Sequence, residues 1–348
     1  SETTLNNSAQ NLEYKFISAI KDLSQHQKPS IAFIEGHGEL TENEVYDITN
    51  TLSKKYSVKR VAINEQITSL NRRSETSDSS ILINSNYDAI VIAKPTKPFS
   101  EKDKFIIDQY VMRGGKVLWL VDPVFASMDS LQRSESTMGN SLNLNLDDMF
   151  FKYGLRLNKN LLLDYNSAAI ALRTGQMGGQ AQIEYYRWYY FPLLNSASNS
   201  NIVKNINPIK ADFISSIDPV MSDSDVQKIP LLKTSDYTKI SAAPVFISLS
   251  MLRQTPDKRM FSQKGQNVAY LLKGTFESLY ANRITTAMME SEEIGFKDVS
   301  EPTSMIVVAD GDIIRNQFHI PKGYPLPLGF DQYTQVTYGN KDFIENAI

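Results

Sequence analysis

Two carboxylates, an imidazole and two glycines fall within five residues where the apolar run of IAFIEGHGEL, residues 31–40, comes to an end: Glu35, Gly36, His37, Gly38 and Glu39. A carboxylate beside an imidazole is equipment for general acid and base work, and glycines let the backbone turn tightly enough to bring them together. Two more apolar runs end in acidic turns, one at Asp122 and Pro123 and the other at Asp310, Gly311 and Asp312, with Asn316 close behind. Ligands of open α/β sheets sit beyond the carboxyl ends of the strands. The three turns are therefore expected to line one crevice, a ligand groove built from Glu35, His37, Glu39, Asp122, Asp310, Asp312 and Asn316. The plainer alternative is that the glycines only make turns, while the acids favour helix N-termini and cap turns.

Other chemistries find less support. The Asp–Gly–Asp turn offers hard oxygen ligands, but the EF-hand spacing is missing and His26, His37 and His319 show no ligand-pair spacing, so no metal is expected. The chain has no cysteine, hence no thiol nucleophile, thiolate zinc site or iron–sulfur cluster. Neither GxSxG, nor GxGxxG after a strand, nor a phosphate-binding GKS or GKT occurs. No catalytic residue and no cofactor are expected. The aromatic run YYRWYYF, residues 185–191, suggests an interaction surface carried by Tyr186, Trp188 and Tyr190, because such side chains are enriched at binding hot spots. A strand buried on both sides is the competing reading.

These residues need a scaffold, and 348 residues with 41% hydrophobic content can supply a large core. A net charge of −3, with no long Lys/Arg block, argues against nucleic acid as a partner. No run of 18 apolar residues is present and no signal-peptide pattern opens the chain, which begins in polar residues and stops inside a helical pattern. A trimmed piece of a longer protein is expected.

Leu12, Phe16, Ile20 and Leu23 recur at helical spacing, predicting an amphipathic helix over residues 10–24. SIAFIEG reads as a buried strand. Thr41 and Glu44 form a capping-box pattern before a helix whose apolar face is Val45, Ile48 and Leu52. VKRVAI, YDAIVIAKP and KVLWLVDP read as further strands, NRRSETSDSS as an exposed polar loop, and Ser100 as the cap of a helix ending at Gly114 and Gly115. Leu144 to Phe150 suggest another helix and NLLLDYN another strand. Residues 166–290 change style towards short β-like runs, and SMIVVADGDII followed by NKDFIENAI, capped by Asn340, returns to the earlier pattern. The expected fold is α/β, a mainly parallel sheet with helices on both faces and a β-rich inserted segment. The expected organisation is a membrane-proximal helix at 1–24, an α/β domain at 25–165, a β-rich segment at 166–290, and a return to the α/β domain at 291–348.

Four ordered segments, IAFIEGHGEL, YDAIVIAKPTKPFSEKDKFIIDQYVMRGGKVLWLVDP, KGTFESLYANR and PLPLGFDQYTQVTYGNKDFIENAI, resemble the GldG family of gliding-motility-associated ABC transporter auxiliary subunits. The resemblance spans nearly the whole chain from about residue 10. It implies transmembrane segments outside this stretch, and a periplasmic domain of an inner-membrane protein. It also implies the permease GldF and the ATPase GldA as partners, and a link to gliding motility and type IX secretion. Relatives of this kind have a class I glutaminase-like fold, whose catalytic Cys has no counterpart here. The expectation drawn from it is a non-catalytic protein-interaction or coupling module. A glycan or small-ligand binding module is the alternative, and a hydrolase using Glu35 or Asp310 as base is the third.

Overall fold

Strands with apolar residues at nearly every position bury both faces, and AIVIA and KVLWL are of that kind. The computed structural model describes residues 28–75, 81–177, 180–221, 225–253, 256–291 and 294–348; the helix expected over residues 10–24 lies outside them. Strands β1 (Ser30–Glu35), β2 (Ser57–Ala62), β5 (Ala89–Ala93), β6 (Lys116–Leu120) and β12 (Thr303–Val308) form the parallel part of one sheet, in the order β2-β1-β5-β6-β12. Alternate residues divide between two cores. Ile31, Phe33, Val91, Leu118 and Val308 lie under helices α1 (Tyr46–Leu52) and α4 (Asn340–Ala347). Ile34, Ile92, Trp119 and Val307 lie under α2 (Glu101–Met112) and α3 (Asp147–Lys152).

The sheet does not stay parallel. Beyond β12 it continues through β11 (Asn267–Gly274), β10 (Val226–Lys233), β9 (Gln180–Ser196) and β8 (Ser167–Met177), each antiparallel to its neighbour, and Ile209–Lys210 adds a short strand beside β9. The expectation of a mainly parallel sheet is corrected to a mixed ten-stranded sheet, a parallel core with an antiparallel extension. Antiparallel partners need no helical crossover, which is why residues 166–290 look β-rich while extending the sheet that holds β1. The predicted strand NLLLDYN forms as β7 (Asn160–Asp164), but it pairs with Thr238–Ala242 outside the main sheet.

The polar stretch NRRSETSDSS is not all loop. Asn71–Glu75 forms β3 and pairs antiparallel with β4 (Ile81–Ser85), one side of the pair being tied down by the buried Leu70, whose carbonyl accepts from Asn86 N at 2.8 Å. Ser100 caps α2 as expected, its Oγ accepting from Asp103 N at 3.1 Å, and Gly114 follows the helix at φ +83°. Thr41 and Glu44 do bond side chain to side chain at 2.8 Å, but the helix proper starts at Tyr46. Asn340 is the first residue of α4 and caps nothing. Its amide instead bonds the Lys210 backbone on both sides and the Ile313 carbonyl.

Candidate functional site

Strands β5, β6 and β12 end side by side, so the residues that follow them, Lys94, Asp122 and Asp310–Asp312, emerge on one edge of the sheet. Lys94 turns away from β5 with φ +55°, a conformation uncommon outside glycine. Its ammonium lies against Asp312 and 3.3 Å from Asp122 Oδ2. Gly311 makes the approach possible: a Cβ there would stand 2.5 Å from the Cβ of Lys94. The glycine of the Asp–Gly–Asp turn thus leaves room for a lysine.

Beneath this pair Asp310 is fully buried, its two oxygens accepting from Asp212 N at 2.9 Å and Asp312 N at 2.7 Å. Asp122 Oδ1 accepts from Gly311 N. Asp212 in turn pairs with Lys210 at 2.8 Å, and Arg315 reaches both Asp312 at 3.4 Å and Glu44 at 2.8 Å. Burial raises the pKa of Asp310 well above the carboxylate range, and the charges of Asp122, Asp312 and Asp212 push it further the same way. Burial works against the charged form of Lys94, but Asp122 and Asp312 outweigh it and hold the amine protonated. Five carboxyls, Asp122, Asp212, Asp310, Asp312 and Glu44, face three cations, Lys94, Lys210 and Arg315, so acids are in excess, and burial among them favours the protonated form of Asp310.

Above the cluster opens a cleft of about 320 Å³ whose walls include Lys94, Asp212, Asp312, Arg315, Phe191 and Tyr338. Chemically it offers fixed charges of both signs beside aromatic rings. Of the residues singled out in the sequence, Asp122, Asp310, Asp312 and Asn316 come together here. Asn316 lines the cleft, though its amide is occupied in tying the segment to α1, through Asn43 O at 3.1 Å and Asp47 N at 3.3 Å.

The EGHGE turn lies elsewhere. His37 stacks on Phe99 with ring centroids 3.7 Å apart, Nδ1 3.2 Å from Glu39 and Nε2 3.0 Å from Asp103 at the start of α2. Burial favours the neutral imidazole, yet Glu39 and Asp103 prevail and its pKa is raised. Gly38, at φ +73°, leaves the space that Thr96 fills, and the His37 carbonyl accepts from the backbone N of both Thr96 and Lys97 at 2.8 Å. His37 and Glu39 form a closed bridge between β1 and α2, and Glu35 pairs with Arg60 on the neighbouring strand. None of the three joins the cleft. Nor are Trp188 and Tyr190 a surface, since both are buried in a third core with Phe213 and Ile247, and Tyr186 is half-buried with its hydroxyl on Glu184.

Lys94, Lys210 and Asp212 escaped the sequence reading. A signal existed for the first, a lysine closing an all-apolar strand just before a proline. Lys210 and Asp212 sit in an unremarkable NPIKADF, and only the fold brings them to the site.

A family profile described as ABC-type uncharacterized transport system matches residues 28–347. Comparison with curated proteins gives no match. Among solved structures, an mmIFT52 N-terminal domain superposes with a TM-score of 0.46 and 11% identity, covering 90% of this chain and 94% of that one. A putative ThuA-like protein from Parabacteroides merdae gives a TM-score of 0.39 and 10% identity over 92% of this chain and 89% of its own.

Proposed function

The chain belongs to the ABC-type transport system auxiliary family, and on that premise we propose that it is the non-catalytic, GldG-like domain that couples an ABC permease to another component of the cell envelope. As a family member it is an auxiliary component associated with ABC transporter proteins. The finer reading places it in the periplasm, beside a GldF-like permease with a GldA-like ATPase across the membrane, in gliding motility and its associated secretion.

The observation that carries this reading is the extent of the family match, which takes in the parallel core, the antiparallel extension and the cleft together. Among the described residues no helix is long and apolar enough to cross a membrane, so what the matched region brings to a transporter is a folded surface. Coupling without turnover is supported by the charge cluster. Lys94 is held protonated, which removes its nucleophilic lone pair, and its carboxylate neighbours are engaged by cations or backbone N–H groups.

Copurification tests it. Tagged full-length protein should retain the permease, and removal of residues 28–347 should lower retention at least tenfold. Equal retention would assign the contact to segments outside this region. The cleft favours a second reading, a small polar ligand held between Lys94, Arg315 and the aromatic wall. Calorimetric titration with candidate sugars and amino acids, repeated on Arg315→Ala, is its check, and no heat with any of them would dismiss it.

A further inference from the structure

Residues 237–264 carry five Lys or Arg, namely Lys239, Arg253, Lys258, Arg259 and Lys264, against a single acid, Asp257, in a chain whose net charge is −3. The fold collects much of this segment on one face. Val245–Ser248 pairs with Ser136–Ser141, which pairs with Val124–Phe125, in a small antiparallel sheet whose inner side, with Val124, Val245 and Ile247, packs into the third core. Its outer side presents Phe246, 65% exposed, with Met138 directly across the strand pair and Phe125 beyond. Two adjoining grooves of about 450 and 590 Å³ that share Leu163, Lys239, Ser250 and Met251 run from Phe246 to Arg253 and to Met260, which is 52% exposed.

The charges on this face are only partly spent. Arg253 stands 3.7 Å from Glu135, and Arg259 is paired with Asp257. Lys239, Lys258 and Lys264 have no carboxylate partner among the described residues, and Lys258 lies 3.6 Å over the exposed ring of Tyr237. Phe246, Met138 and Phe125 therefore stand together on the outer side of the small sheet, with Lys239 and the other cations along the grooves beside them.

We infer that this face docks on an anionic lipid surface. Phe246, Met138 and Met260 enter the boundary between headgroups and acyl chains, while Lys239, Lys258 and Lys264 meet the phosphates. Peripheral membrane binding needs two signals, apolar insertion and basic charge, and both occur here on one face. An acidic protein would satisfy the cations as well. It would, however, ordinarily receive its anchors in well-packed pockets, whereas here Phe246, Met138 and Met260 project outward, beside the cations and not into the grooves. The inference makes no use of the permease, so it stands or falls apart from the coupling role.

The test is cosedimentation of the purified chain with vesicles of phosphatidylcholine alone and of phosphatidylcholine with phosphatidylglycerol. The expected result is binding only to the anionic vesicles, weakened by salt. Reversing Lys239 and Lys264 to Glu should lower the partition at least tenfold, since each basic residue at such a surface is worth about fivefold. Phe246→Ser should lower binding without changing the salt dependence. Lys322→Glu, an exposed charge outside the face, should change neither. Matching unfolding midpoints would show that the variants are folded. Equal binding to neutral vesicles, no binding at all, or indifference to the Lys239 and Lys264 reversals would overturn the inference. Capture on polyglutamate beads without capture on vesicles would also overturn it, in favour of an acidic protein.

Discussion

Gly311 lacks a side chain where Lys94 needs the space, and that single clearance holds the ion cluster together. Gly311→Ala forces Lys94 off Asp122 and Asp312 or shifts the backbone of the turn. The expected cost is about 1–3 kcal/mol, the range for overpacking a tight interior, read as a lower midpoint in urea unfolding. His37 offers a test by pH. Because its folded-state pKa is raised, the bridge to Glu39 and Asp103 contributes fully below the ordinary value of about 6.5 and is lost as pH rises through the folded value. The stability difference between the parent and His37→Gln should therefore be larger at about pH 5.5 than at about pH 8.5. A difference that grows with pH would mean that His37 is neutral in the fold.

At the scale of elements, β9 explains why the aromatic run misleads. Alternation along a strand assigns Trp188 and Tyr190 to one face and Tyr189 and Phe191 to the other. All four are nonetheless buried, because this stretch of β9 is covered on both sides by the third core. Sequence periodicity reports only half-buried strands, so a strand covered twice looks the same whether its aromatics face a partner or the interior. Trp188→Ala should cost about 3–5 kcal/mol in denaturant unfolding, as large core truncations do, while Tyr186→Ser costs far less. The helices were easier to read, since Ser100 and Gly114 mark the ends of α2 through local chemistry alone. The β3–β4 hairpin was not legible, because β3 is polar throughout and the pair is anchored by Leu70 and Asn86 outside both strands.

For the whole molecule, the boundary read at residue 166 marks a change of style and leaves the sheet continuous. Strand β11 is hydrogen-bonded to β12, and β12 to β6, so the sheet crosses both segments without a break. A chain with residues 166–290 replaced by a short linker should consequently fail to fold, leaving circular dichroism without a cooperative transition, whereas the intact chain unfolds in one step. Recovery of a stable remnant would mean that residues 166–290 are a separable insertion in the α/β domain. The strand-end acids Asp122, Asp310 and Asp312 were legible because strand ends announce themselves locally. Their lysine was overlooked although it closes an apolar strand just before a proline, and its partner Asp312 is 218 positions away. That separation has a consequence in time. A chain made or exported from its N-terminus presents β1, β5 and β6 long before β12 exists, so for most of that interval β6 has a bare apolar edge and Lys94 and Asp122 lack Asp312. Contacts of such long range close slowly, and a waiting edge strand is where chains aggregate. The interval before β12, the last strand of the main sheet, is made is therefore when a chaperone has most to protect.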